Sequence, residues 1–135
     1  MEKIDHIGIA VKDLDKAVKF YEQILGLKVR DWMKIGATRG AFLRVGEVDL
    51  EPLESKDPNS LIGRHLEQKG EGIHHIAFQV KDIVATLAEL KKKGVALMDE
   101  KPRPGGGGAQ IAFLDPKGAN GVLIELVEPA KMQKN

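Results

Sequence analysis

H-I-G-I-A-V-K-D-L at residues 6–14 returns as H-I-A-F-Q-V-K-D-I at residues 75–83. Each copy opens as an alternating apolar run of the kind that forms a strand. Each closes on a Lys-Asp pair and leads into a run of helical spacing. The helices expected from Asp13 to Leu25 and from Asp82 to Lys93 both stop at a glycine, Gly26 and Gly94, the residue suited to a left-handed helix end. Further on, each copy has a strand with a glutamate among apolar neighbours, V-D-L-E-P-L at 48–53 and V-L-I-E-L-V at 122–127. His6 and His75 are 69 positions apart, and Glu51 and Glu125 are 74 apart. The five extra residues fit a longer loop in the second copy, at the glycine run 105–108.

This pattern predicts an α+β fold made of two βαβββ modules in tandem within one domain, 1–135. Module one spans about 1–55 and module two about 70–130, with a short helix at about 58–69 joining them. The first module's strands are expected at Lys3 to Val11, Lys28 to Met33, Arg39 to Val45 and Val48 to Pro52. Those of the second are expected at Gly72 to Val80, Ala96 to Glu100, Gln110 to Asp115 and Val122 to Val127. The first helix shows a face through Leu14, Ala17, Val18, Tyr21 and Leu25.

Composition excludes several classes. A net charge of +1 argues against a general polyanion binder, so no nucleic-acid partner is expected. The absence of cysteine removes disulfides and thiolate ligands and fits a cytoplasmic protein. No run approaches a membrane span, and Met1-Glu2-Lys3 enters a strand too soon for a signal peptide. Lys131 to Asn135 reads as a frayed tail.

Side-chain alternation places His6, Gly8 and Ala10 on one strand face, and His75, Ala77 and Gln79 on one face of its copy. The aliphatic faces suit packing under helices. The histidine faces, with small companions, suit a concave cavity. Glu51 and Glu125 each sit on strands with distinct faces, so two imidazoles and two carboxylates are candidates to converge. Such a nitrogen and oxygen donor set without sulfur suits a divalent ion: cobalt, nickel, manganese, iron or magnesium, with zinc possible. Four protein ligands on an octahedral ion leave two positions for two oxygens of one substrate. His74 faces away from His75 and reads as structural, and His65 as solvated. Glu54 and Glu128, at strand ends, read as surface groups.

The paired H-I-G-I-A-V and H-H-I-A-F-Q-V segments, with D-L-E-P-L-E and V-L-I-E-L-V-E, resemble the vicinal oxygen chelate superfamily. Within it, K-G-E-G-I-H-H-I-A-F at 69–78, D-E-K-P-R-P-G-G-G-G at 99–108 and I-A-F-L-D-P-K-G-A-N-G-V-L-I-E-L at 111–126 are similar to the methylmalonyl-CoA epimerases. The resemblance covers nearly the whole chain. It implies curved sheets around a metal-binding cavity, with His6, Glu51, His75 and Glu125 as ligands and cobalt as the favoured ion. The implied reaction is epimerisation of methylmalonyl-CoA by α-proton transfer through a metal-stabilised enolate, and the implied assembly is a homodimer. Inversion needs two acid/base groups. Glu125 is the candidate for one. For the other the family leads us to expect a glutamate sixteen or seventeen positions ahead of Glu51, where this chain has Ile35 and Lys34. Lys34 could shuttle a proton only with its pKa depressed by burial, which leaves Glu51 as the second candidate.

Other readings stay open. A glyoxalase I-type lyase forming S-lactoylglutathione from a hemithioacetal would suit the same ligands. A metal-free small-molecule binding protein shares the fold but should lack the ligand set. A ring-cleaving dioxygenase would use two histidines and one carboxylate, and Glu51 argues against it. The glycine run at 105–108 lacks the Lys-Ser/Thr of a phosphate loop and is expected to be a flexible active-site loop, while Lys101, Arg103 and Lys117 are candidates to meet CoA phosphates.

Overall fold

The computed structural model describes residues 1–130, so the tail expected at Lys131 to Asn135 lies outside the described residues. By packing, the chain divides into two units: His6–His74, and Met1–Asp5 together with the chain from His75 onward. The linking helix therefore groups with the first repeat.

In the first unit, strand β1 (Lys3–Ala10, of which Lys3 to Asp5 belong to the second unit by packing) leads into helix α1 (Leu14–Lys19) and a π-helical turn (Phe20–Ile24). Strands β2 (Val29–Ile35), β3 (Thr38–Val45) and β4 (Val48–Ser55) follow, then helix α2 (Leu61–Lys69). The hydrogen-bonded order is β2-β3-β4-β1, antiparallel except for the parallel β4–β1 pair. Leu14 and Val18 of α1 pack with Val11, Ala41 and Leu43, flanked by Ile9 and Tyr21. The aliphatic face of β1 therefore lies under the helix, and each such buried aliphatic contributes about 1.5–3 kcal/mol. The expected single helix to Leu25 does not hold. Its last turn widens to a π-helix, which rotates Leu25 outward to 53% exposure and leaves Gly26 (φ +70°) as the left-handed stop.

The second unit repeats the order. It contains β5 (Gly72–Gln79), α3 (Ile83–Lys92), a two-residue β6 (Arg103–Pro104), β7 (Gln110–Phe113) and β8 (Ile124–Glu128), paired as β5-β8-β7-β6. Gly72 to His74 of β5 lie in the first unit by packing. Ile83 and Leu87 of α3 pack with Val80, Ala112, Leu114 and Leu126. Gly94 (φ +82°) closes the helix as Gly26 does. The strand expected from Ala96 to Glu100 is reduced to one bridge, Leu97 with Leu114. The backbone N–H groups of Met98 and Asp99 both donate to the Phe113 carbonyl, at 3.0 and 3.1 Å, and the Asp99 carboxylate accepts from the Phe113 N–H at 2.9 Å. A side chain has taken the donor a ladder would use.

The Lys-Asp punctuation does the same work twice. Asp13 and Asp82 are N-caps, accepting from the backbone N–H of Lys16 and of Ala85, both at 3.1 Å. A second carboxylate comes to each helix start from a strand end. Glu54 accepts from the Leu14 N–H at 2.9 Å, and Glu128 from the Ile83 N–H at 3.0 Å. The expectation that both are surface groups is thus overturned, most fully for Glu54, which is buried and also takes Arg39 at 3.3 Å. A free helix N–H is costly to bury, and the positive helix end favours an acid there.

Candidate functional site

Alternation along β1 buries His6, Gly8 and Ala10, and along β5 it buries His75, Ala77 and Gln79. Parallel pairing sets Gly8 opposite Glu51 in the first unit and Ala77 opposite Glu125 in the second. A small side chain beside each glutamate leaves space over the strand. In each unit the histidine then meets its carboxylate: His6 Nε2 lies 3.3 Å from Glu51 Oε1, and His75 Nε2 lies 3.0 Å from Glu125 Oε1. All four residues are buried, at 4–5% exposure. The structure brings each predicted histidine to the predicted glutamate of its own repeat.

A phenylalanine that sequence reasoning passed over stands beside each histidine. Phe42 meets the His6 ring edge to face with centroids 6.1 Å apart, and Phe113 meets His75 in the same way at 5.9 Å. Over each phenylalanine lies an arginine, Arg30 over Phe42 and Arg103 over Phe113, both with the guanidinium carbon 5.2 Å from the ring centre. The signal was present in the sequence, since A-F-L occurs at 41–43 and again at 112–114.

The cations are anchored differently. Asp49, buried, accepts from Arg30 at 2.7 Å and from Arg44 at 2.7 Å. Burial pushes its carboxyl up, but the hydrogen bonds and charges of the two arginines outweigh that and hold it below its ordinary 3.8. Arg103 is paired with Asp99 at 3.4 Å.

Elsewhere the expectations divide. His65 is half-buried and not simply solvated: its ring stacks edge to face on His74 at 5.0 Å, and burial, helped by the charge of Lys69, holds its pKa below 6.5. Lys34 is exposed on β2, so the burial that would have made it a proton shuttle is missing, and Ile35 beside it is 49% exposed. The glycine run folds back on itself. Gly105 donates to the Ala109 carbonyl at 2.9 Å, Ala109 to that of Gly106 at 3.2 Å, and Gly107 takes φ +64°. Among the described residues no helix is long and apolar enough to cross a membrane.

Residues 3–126 match the Glyoxalase/Bleomycin resistance protein/Dioxygenase superfamily, and the chain belongs to it. The α+β vicinal oxygen chelate fold, two βαβββ modules in tandem, is the fold of this chain. Within the superfamily its similarity runs to the methylmalonyl-CoA epimerases. The human mitochondrial methylmalonyl-CoA epimerase is 35% identical over 92% of this chain and 72% of its own length. A solved methylmalonyl-CoA epimerase in complex with methylmalonyl-CoA and NH4+ superposes with a TM-score of 0.93 at 38% identity, covering 100% of this chain and 99% of that one. YqjC of Bacillus subtilis (strain 168), an uncharacterized protein, is 41% identical over 100% of this chain and 98% of its own length.

Proposed function

We propose that this chain is a metal-dependent isomerase that epimerises methylmalonyl-CoA, with His6, Glu51, His75 and Glu125 holding one divalent ion, cobalt being favoured. The observation that carries the reading is the buried His–Glu pair made once in each repeat, in a chain similar to epimerases over its whole length. The donor set fits such an ion. His6, Glu51 and His75 are buried residues of the kinds that could hold a metal, Glu125 adds a second carboxylate, and there is no cysteine to favour a softer site. When bound, the ion would supply positive charge where a thioester oxygen gains electrons.

The protein's own groups would move the proton. A carboxylate takes the α-proton from one face of the substrate, the electron pair passes into the C–C–O system as an enolate, and a second acid returns a proton to the other face. Glu125 takes one role. Of the buried acids, Asp49 is held by two arginines and Glu54 by a helix start and Arg39, which leaves Glu51 for the other role. The buried surroundings exclude water and strengthen these contacts. The same reading makes the repeats one domain and the protein a cytoplasmic homodimer acting on a soluble acyl-CoA. Ile35 and Lys34 favour a second reading, a glyoxalase I-type proton shift on a hemithioacetal, because that reaction needs no acid on the opposite face.

The test is incubation of the cobalt-loaded protein with methylmalonyl-CoA in deuterated water, following loss of the α-proton by NMR with Glu125→Gln as control. Exchange that disappears in the variant is the expected result. A folded, metal-loaded protein that exchanges nothing overturns the epimerase reading and sends the search to hemithioacetals.

A further inference from the structure

We propose that Phe42 and Phe113 are positioning residues that fix the ring planes of His6 and His75. The inference rests on the reading of these histidines as metal ligands.

An imidazole turns about its outer torsion in broad, roughly two-fold wells, and half a turn exchanges a ring nitrogen for a carbon. A histidine that must present Nε2 in one direction needs a neighbour that resists this turn. The carboxylate in front does part of it, at 3.3 Å for His6 and 3.0 Å for His75. The perpendicular phenylalanine adds to it, with interplanar angles of 77° and 87°.

Neither phenylalanine is spent on the helix-side cores. Ala41 and Leu43 enter the core under α1, and Ala112 and Leu114 enter that under α3. By strand alternation the aromatic residue between them turns to the opposite face, towards the histidine. The arginines keep the aromatic rings from moving in turn. Each guanidinium over a ring is tied to an aspartate, Arg30 to buried Asp49 and Arg103 to Asp99, and Asp99 also accepts from the Phe113 N–H. The resulting sequence of contacts, aspartate to arginine to phenylalanine to histidine, is built twice with its aspartate in different places, on β4 for Asp49 and outside the strands for Asp99. Partners behind a ligand ring commonly govern how well it binds its ion.

The experiment compares F42L, F42Y, F113L and F113Y with the parent chain. Crystal structures of the metal-free proteins read the imidazole orientation, and calorimetric titration with cobalt reads affinity. In the leucine variants we expect the ring to turn so that Nε2 leaves its glutamate, and cobalt binding to weaken about tenfold. The tyrosine variants, which keep the ring, should restore both to within about threefold of the parent. Phe113 is buried, so a misfolded F113L leaves F42L, at a half-buried site, to decide. An unmoved imidazole in F42L, or unchanged cobalt affinity in a parent that binds it, overturns the proposal. A parent that binds no cobalt overturns the metal reading instead, and the ring orientation in metal-free F42L still decides whether the phenylalanine positions the histidine.

Discussion

The first repeat is rich in strand and the second is spare, yet they hold the same constellation. Beyond β4, the first has a seven-residue β2 and an eight-residue β3, while the matching outer part of the second has a two-residue β6 and a four-residue β7. What survives this divergence is the histidine and glutamate of the inner strand pair, the doubled acid cap at the helix start and, on the outer hairpin itself, the phenylalanine with its arginine. A duplicated unit can shorten its outer hairpin without disturbing the histidine and glutamate, because those are set by the parallel strand pair. The outer strands are where the repeats acquired separate character. The anchor of the arginine differs too: a buried aspartate with two arginines in the first repeat is replaced in the second by a partly buried aspartate with one.

The sharpest way to break the equivalence is to remove one charge from each repeat. Glu125→Gln should lower α-proton exchange by 100-fold or more, on the order of the usual contribution of a positioned base. Glu51→Gln, which keeps an oxygen donor, should allow exchange on one face while slowing inversion by a similar factor. Measuring exchange and optical inversion side by side checks this. Equal loss of both in the two variants would mean that the glutamates are ligands alone.

The acid caps come next. Glu54→Ala should cost roughly 2 kcal/mol, and Glu128→Ala roughly 1 kcal/mol, as judged by urea denaturation. The larger value belongs to the more deeply buried cap. Equal losses would show that Arg39 and burial add nothing to the first repeat's helix start.

Smallest is an acid response confined to the first repeat. The folded-state pKa of Asp49 is depressed, so its contribution is complete above the ordinary aspartate range and is lost as pH falls through the lowered value. Arg30 and Arg44 are almost half exposed, and solvent screens them, so the loss should be no more than about 1 kcal/mol. Asp49→Asn should flatten the stability profile below about pH 4. A variant as acid-sensitive as the parent would place the response elsewhere.

Much of this is legible in the sequence alone. Strand alternation fixes which residues share the face of His6 and His75, and the apolar neighbours of Glu51 and Glu125 mark strands. The histidine–glutamate pairs therefore follow from periodicity and repetition. What stayed hidden depends on partners remote in sequence. Glu54 and Glu128 look like solvent-facing strand ends until the strand is seen to finish against a helix start 40 and 45 residues away. Their common position, three residues after Glu51 and after Glu125, was a clue carried by the repeat and by no local rule. The lost strand near Asp99 has a similar origin, since a carboxylate captured a backbone donor that propensity would assign to a ladder. The π-helical turn at Phe20 has no counterpart in the second copy, and the helical spacing through Leu25 gives no sign of it.

The strand-borne acids at Leu14 and Ile83 have one more consequence. Amide protons in the first turn of a helix ordinarily lie open to solvent and exchange quickly with deuterium. Here the two are shut behind carboxylates from a distant strand of the same repeat, so neither can exchange until that strand leaves its helix. The two amides are natural clocks, one for each repeat, and their separate rates would report which half of the molecule opens first without any label being introduced.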